Sequence, residues 1–83
     1  MVVHGRVQGV FFRDTARRMA EARNVAGWAR NNPDGTLEAV FEGELDAVEA
    51  MIRFAEDGPR GAEVEQVDVS EEKPEGLQGF RIA

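Results

Sequence analysis

The sequence predicts an α+β fold in the order β-α-β-β-α-β, its strands forming an antiparallel sheet that two helices cover on one face. Three observations predict it. Two stretches carry apolar residues at helical spacing, a four-residue turn signal joins two strand-like stretches into a hairpin, and further strand-like runs lie before the first helix and after the second. This is the split βαβ arrangement, and its usual strand order, 4-1-3-2, is expected here.

Met1, Val2 and Val3 read as the end of a short strand that Gly5 stops. Phe12, Ala16, Met19 and Ala20 then recur on one helical face, which predicts a helix over 12–23 with Arg17, Arg18 and Glu21 in solvent. Residues 25–31 form a strand. Asn32-Pro33-Asp34-Gly35 is a turn, because Pro presets the first central position, Asp bonds back locally and Gly accepts positive φ. The return strand, 36–42, places Leu37, Ala39 and Phe41 on one face and Glu38, Val40 and Glu42 on the other. Leu45, Val48, Ile52 and Ala55 predict a second helix over 44–57, which Gly58-Pro59 ends. Residues 62–71 have strand composition, but Gln66 breaks the alternation between Val64 and Val67, so a bulge or an edge is expected there. Residues 79–83 add a short terminal strand.

Eighty-three residues leave room for one domain, expected over 1–83. Cysteine is absent and His4 is the only histidine, which excludes a disulfide framework, a thiolate zinc site and a histidine cluster; no metal is expected. No apolar run approaches the roughly 20 residues of a membrane span, and the start lacks the pattern of a signal peptide. A cytoplasmic address and no membrane partner are expected. The net charge of −6 argues against nucleic acid, whose binding relies on clustered cations. That average conceals an asymmetry: residues 1–35 carry a net +3 and residues 36–83 a net −9. Charge acts locally within about 8–10 Å in salt, so the first half can draw in a small anion while the second reads as a solvated acidic surface.

The informative stretch is Gly5-Arg6-Val7-Gln8-Gly9-Val10-Phe11-Phe12-Arg13, which leads from a strand through a two-glycine loop into a helix. Such a junction suits a phosphate: the first helical N–H groups lack intrahelical partners, the helix dipole is positive there, and glycine lets backbone approach closely. The spacing is neither that of a Walker loop nor that of a dinucleotide fingerprint, and many loops with two glycines bind nothing. Arg13 sharpens the reading, since a cation in the first turn opposes the dipole unless an anion compensates. The competing explanation is a salt bridge to Asp14 or Glu21. Asn31 and Asn32 precede the turn, where local backbone hydrogen bonding is the ordinary role of asparagine. Trp28, Phe11 and Phe12 read as packing residues, and His4 as structural.

Val3-His4-Gly5-Arg6-Val7-Gln8-Gly9-Val10-Phe11-Phe12-Arg13, followed by Gly27-Trp28-Ala29-Arg30-Asn31 and Asp34-Gly35-Thr36-Leu37-Glu38-Ala39, resembles the signature of the acylphosphatases. The similarity runs on to Gly79-Phe80-Arg81-Ile82 and so spans nearly the whole chain. The resemblance implies a ferredoxin-like fold and the hydrolysis of acyl phosphates to a carboxylate and inorganic phosphate without a cofactor. It places the family's essential arginine on Arg13, its essential asparagine on Asn31, and its phosphate-binding loop on Gly5, Arg6, Val7, Gln8, Gly9 and Val10. A monomer is expected. Two departures stand out: the first strand has few residues ahead of the motif, and the chain ends Ile82-Ala83 where many relatives carry an aromatic residue after a basic one, so looser packing is expected there.

Elementary chemistry accounts for those roles. A guanidinium offers a planar fork to two phosphate oxygens. Loop amides surround the others, and an asparagine holds water in line with phosphorus. Carboxylate is a ready leaving group, so little acid catalysis is needed. The rival from another class is a non-catalytic binding module using the same cradle, as in the related domains of hydrogenase-maturation carbamoyltransferases; an RNA-binding reading conflicts with the charge.

Overall fold

The computed structural model describes residues 1–83. Strands β1 (Val2–Arg6), β2 (Ala26–Asn31), β3 (Leu37–Glu42), β4 (Glu63–Asp68) and β5 (Phe80–Ile82) alternate with helices α1 (Phe12–Ala22) and α2 (Leu45–Asp57). The sheet order is β4-β1-β3-β2-β5. The expected 4-1-3-2 core is present and antiparallel, but β5 joins its outer edge parallel to β2, so the whole sheet is mixed. Parallel pairing follows from the route of the chain: residues 69–79 cross from one sheet edge to the other before β5 begins. The Glu42 carboxylate fastens that strap, accepting hydrogen bonds from the N–H of Glu75 at 2.8 Å and of Leu77 at 3.0 Å. No helix is long and apolar enough to cross a membrane.

Helix α1 forms where Phe12, Ala16 and Ala20 recur at intervals of four, and these three residues are buried against β2 and β5. Helix α2 lies against β4 and β3, and an edge-to-face contact between Phe12 and Phe54, centroids 5.3 Å apart, joins the two helices. The core gathers Val3, Val7, Val25, Ala29, Leu37, Ala39, Met51, Ala55 and Phe80 between sheet and helices. The buried stripe of α2 differs from the expected one. Met51 and Ala55 are buried, Val48 and Ile52 are half-buried, and Leu45 is 70% exposed. Leu45 stands roughly 80–120° of helical arc from Ala55 and Met51, too far round to share their face.

Gly5 does not stop β1, contrary to expectation. The strand runs on to Arg6, and its register against β4 shifts between His4↔Gln66 and Gly5↔Val64, which leaves Glu65 as the extra residue of a bulge. Gly5 has φ 126°, and a Cβ there would strike the Glu63 carbonyl oxygen, so glycine permits the bulge and not a break. Gln66 thus marks both features expected of its stretch, since β4 is bulged and lies at an edge. His4 is structural, with Nε2 2.9 Å from Asp68 Oδ2. A hydrogen bond from the Gln66 amide, and after it the His4 contact, holds the Asp68 carboxyl below the usual aspartate range.

The hairpin follows its turn signal closely. Gly35 N–H donates to the Asn32 carbonyl at 3.1 Å, Asn32 N–H donates to the Thr36 carbonyl at 2.9 Å, and Asp34 Oδ1 accepts from the Thr36 N–H at 3.0 Å and hydroxyl at 2.6 Å. Those bonds, the hydroxyl first, lower the Asp34 pKa. On the helix-free face Arg30 pairs with Glu38 at 2.8 Å and lies over the Trp28 ring, 5.1 Å from its centroid.

Candidate active site

A cleft of about 300 Å³ opens where the end of β1, the start of α1 and the end of β2 meet. It is lined by Val7, Gly9, Phe11, Phe12, Arg13, Asp14, Asn31 and Ile82. A larger concavity, about 770 Å³, lies under the strap beside α2, but Glu42, Glu49, Glu71, Glu72 and Glu75 outnumber Lys73 and the Met1 ammonium in its lining, which makes it hostile to an anionic substrate.

The loop between β1 and α1 is held open. The N–H groups of Val7, Gln8, Gly9 and Val10 donate to no acceptor within the protein. Gly9 adopts φ 74° in open space, a left-handed turn that takes the chain out of the β1 ladder. Phe11 then takes a left-handed conformation, φ 59° and ψ 25°, and starts α1 without a side-chain cap. Four neighbouring donors without partners beside the positive end of a helix are the features that suit an anion.

Arg13 stands in the first turn of α1 and has no carboxylate partner. Asp14, the neighbour that would compete for it, is taken by Arg17 at 2.8 Å and Arg18 at 2.9 Å, and Glu21 makes no ion pair. The expected alternative to an anion site is therefore absent, and the unfavourable placement of a cation at the helix start has no compensation from the protein.

Strand alternation sets Asn31 on the same face as Gly27 and Ala29, toward the helices, while Trp28 and Arg30 face the other way. Local bonding falls instead to Asn32, whose Nδ2 donates to Thr36 Oγ1 at 3.1 Å and Glu38 Oε1 at 3.3 Å. Asn31 Oδ1 is buried with no hydrogen-bond partner. A buried amide oxygen without a donor costs about 1–3 kcal/mol, so the position calls for a donor such as water.

Of the expected loop residues, Val7 and Gly9 line the cleft together with Arg13 and Asn31. Gly5 and Arg6 belong to β1, and the Arg6 guanidinium donates to the Gly61 carbonyl at 3.1 Å and lies 3.8 Å from Glu63, away from the cleft. Val10 packs against the core. Gln8 spends its side chain on the hairpin, donating from Nε2 to the carbonyls of Asn32 at 2.9 Å and Thr36 at 3.0 Å. Its motif position gave no hint of that tie. Phe12 is core, as expected, whereas Phe11, expected to pack inside, is 81% exposed at the cleft mouth. The left-handed turn at Phe11 projects its ring away from the α1 stripe.

The cleft thus gathers an unpaired guanidinium, unpartnered backbone N–H groups and a buried amide oxygen without a donor. The profile of the acylphosphatase family matches residues 1–82. The chain is 54% identical over 81 residues to an acylphosphatase of Rubrobacter xylanophilus, covering 96% of this chain and 74% of that one. Its fold superposes with a TM-score of 0.93 on the crystal structure of acylphosphatase from Bacillus subtilis, at 34% identity, covering 99% of this chain and 92% of the other. The chain belongs to the acylphosphatase family, and its activity class is that of a hydrolase. The same fold occurs within a much longer protein: full-length HypF in its phosphate- and nucleotide-bound form matches with a TM-score of 0.87 and 30% identity, covering 99% of this chain and 11% of that one.

Proposed function

We propose that Arg13 and the free amides of the loop hold the phosphoryl group of an acyl phosphate while Asn31 aims the attacking water. The observation that carries this reading is the meeting in one cleft of an unpaired guanidinium and a buried, partnerless amide oxygen beside a nest of free N–H groups. Water accepted at Asn31 Oδ1 donates one proton to that oxygen and turns a lone pair toward phosphorus. A bond forms from the water oxygen to phosphorus, and the bond from phosphorus to the acyl oxygen breaks, its electron pair leaving on the carboxylate. The water proton passes to a phosphoryl oxygen, so that an acyl phosphate dianion and water become a carboxylate and dihydrogen phosphate. The Arg13 fork and the loop N–H groups offset charge on the equatorial oxygens throughout. No step needs a metal, a thiol or a histidine. The chain does this as a one-domain monomer; a cytoplasmic location suits a short-lived anhydride that has to be met where it is made.

The test is phosphate release from acetyl phosphate and benzoyl phosphate by the purified chain in EDTA. Turnover is expected, and Asn31→Ala lowers kcat by roughly 10²–10³ with the fold intact, the cost of losing one well-placed polar group. An Asn31→Ala variant as active as the wild type overturns the assignment. A protein stabilised by phosphate yet inert on both substrates is a binding module.

A further inference from the structure

Two apolar side chains stand at the mouth of this cleft without any role in the core. Phe11 is 81% exposed and Ile82 is 37% exposed. The backbone of Phe11 is left-handed, φ 59°, a conformation that glycine or asparagine adopts more easily. Core packing does not account for a bulky ring left exposed on an unfavourable backbone, and such a feature points to use. Ile82 pairs with Ala29 across the β2–β5 ladder, one pleat from Asn31 on the same strand face.

The other cleft residues are committed. Val7 and Phe12 are core, Asp14 is held between Arg17 and Arg18, and Gly9, Arg13 and Asn31 serve the phosphoryl group and its water. In-line attack requires the acyl half to leave on the side of phosphorus away from the water. We infer that Phe11 and Ile82 form the acyl subsite, an apolar pair that packs against the organic half of the substrate and favours aromatic or bulky apolar acyl groups. The inference rests on the phosphoryl assignment above.

The experiment compares kcat/KM for benzoyl phosphate with kcat/KM for acetyl phosphate in the wild type, Phe11→Ala, Phe11→Tyr and Ile82→Ala. The benzoyl-to-acetyl ratio is expected to fall about three- to tenfold in Phe11→Ala, the range one aromatic contact supplies, with the change carried by KM. Phe11→Tyr keeps the ratio, and Ile82→Ala lowers it in the same direction, which covers the case in which Phe11→Ala does not fold. An unmoved ratio in Phe11→Ala and Ile82→Ala, whether or not both substrates slow together, overturns the acyl subsite and leaves the phosphoryl assignment standing. A wild type inert on both substrates overturns both.

Discussion

Gln8 is tied to Asn32: its side-chain amide donates to the Asn32 carbonyl at 2.9 Å, and it reaches the Thr36 carbonyl at 3.0 Å. The first residue lies in the proposed phosphate loop and the second directly follows Asn31. One side chain therefore ties the β1–α1 loop to the end of β2, the two segments to which the proposal gives the phosphoryl group and the water.

Replacing Gln8 by Leu removes both bonds and leaves each carbonyl with only its hairpin N–H donor, Gly35 to Asn32 and Asn32 to Thr36. A loss of about 1–3 kcal/mol in urea denaturation is expected. Activity should fall more than stability suggests, by about 10²-fold in kcat/KM, because a small misplacement of reacting groups is that costly. Steady-state kinetics beside a denaturation curve separate the two effects.

Arg13 carries a charge that destabilises its own helix start. Arg13→Ala is expected to abolish turnover and yet to raise stability in phosphate-free buffer by about 0.3–1 kcal/mol. Adding inorganic phosphate should raise the melting temperature of the wild type and leave that of the variant nearly unchanged, since only a native state that binds the ligand is stabilised by it. Thermal unfolding with and without phosphate reads both.

Glu42 links the strap to acid stability. Hydrogen bonds from the backbone N–H groups of Glu75 and then Leu77 hold its carboxyl below the ordinary value of 4.5. The folded pKa is depressed, so the unfolded chain binds the extra proton first as pH falls. The contribution is fully present above about pH 4.5 and is lost as pH falls through the lower folded value. Glu42→Gln is expected to melt earlier at neutral pH and to show a flatter fall in melting temperature below that point, measured by thermal scans across the acid range.

Gly5→Ala tests the bulge. The new Cβ meets the Glu63 carbonyl oxygen at a backbone φ of 126°, so β1 and β4 have to separate or shift register. A loss of about 1–3 kcal/mol is expected, visible as a lower urea midpoint.

Local signals made much of this legible in the sequence. Asn32-Pro33-Asp34-Gly35 admits little but a turn, and the spacing of Phe12, Ala16 and Ala20 fixes the buried side of α1. Motif resemblance points to Arg13 and Asn31, and the structure gives neither the partner that an ordinary structural role would supply. What remained hidden depends on distant chain. Gly5 reads as a strand end until Glu65 is seen opposite, and the parallel pairing of β5 depends on the strap's route between edges. Spacing puts Leu45 on a stripe with Val48, Ile52 and Ala55, but the buried side of α2 centres on Met51 and Ala55 and leaves Leu45 outside it; Phe11, read as a packing residue, sits on a left-handed backbone and is exposed. The bonds of Gln8 span 24 and 28 residues, a separation that periodicity does not encode.

The bulged strand β4 bears on how copies of this chain meet. Glu63, Glu65 and Asp68 line the outermost ladder, and at the opposite rim β5 offers only three residues for pairing. A neighbour adding its own β4 there would bring two rows of like charges together across a kinked seam. In neutral solution that repulsion guards against the growth of sheets from one molecule into the next, and acid, by discharging the row, would weaken the guard.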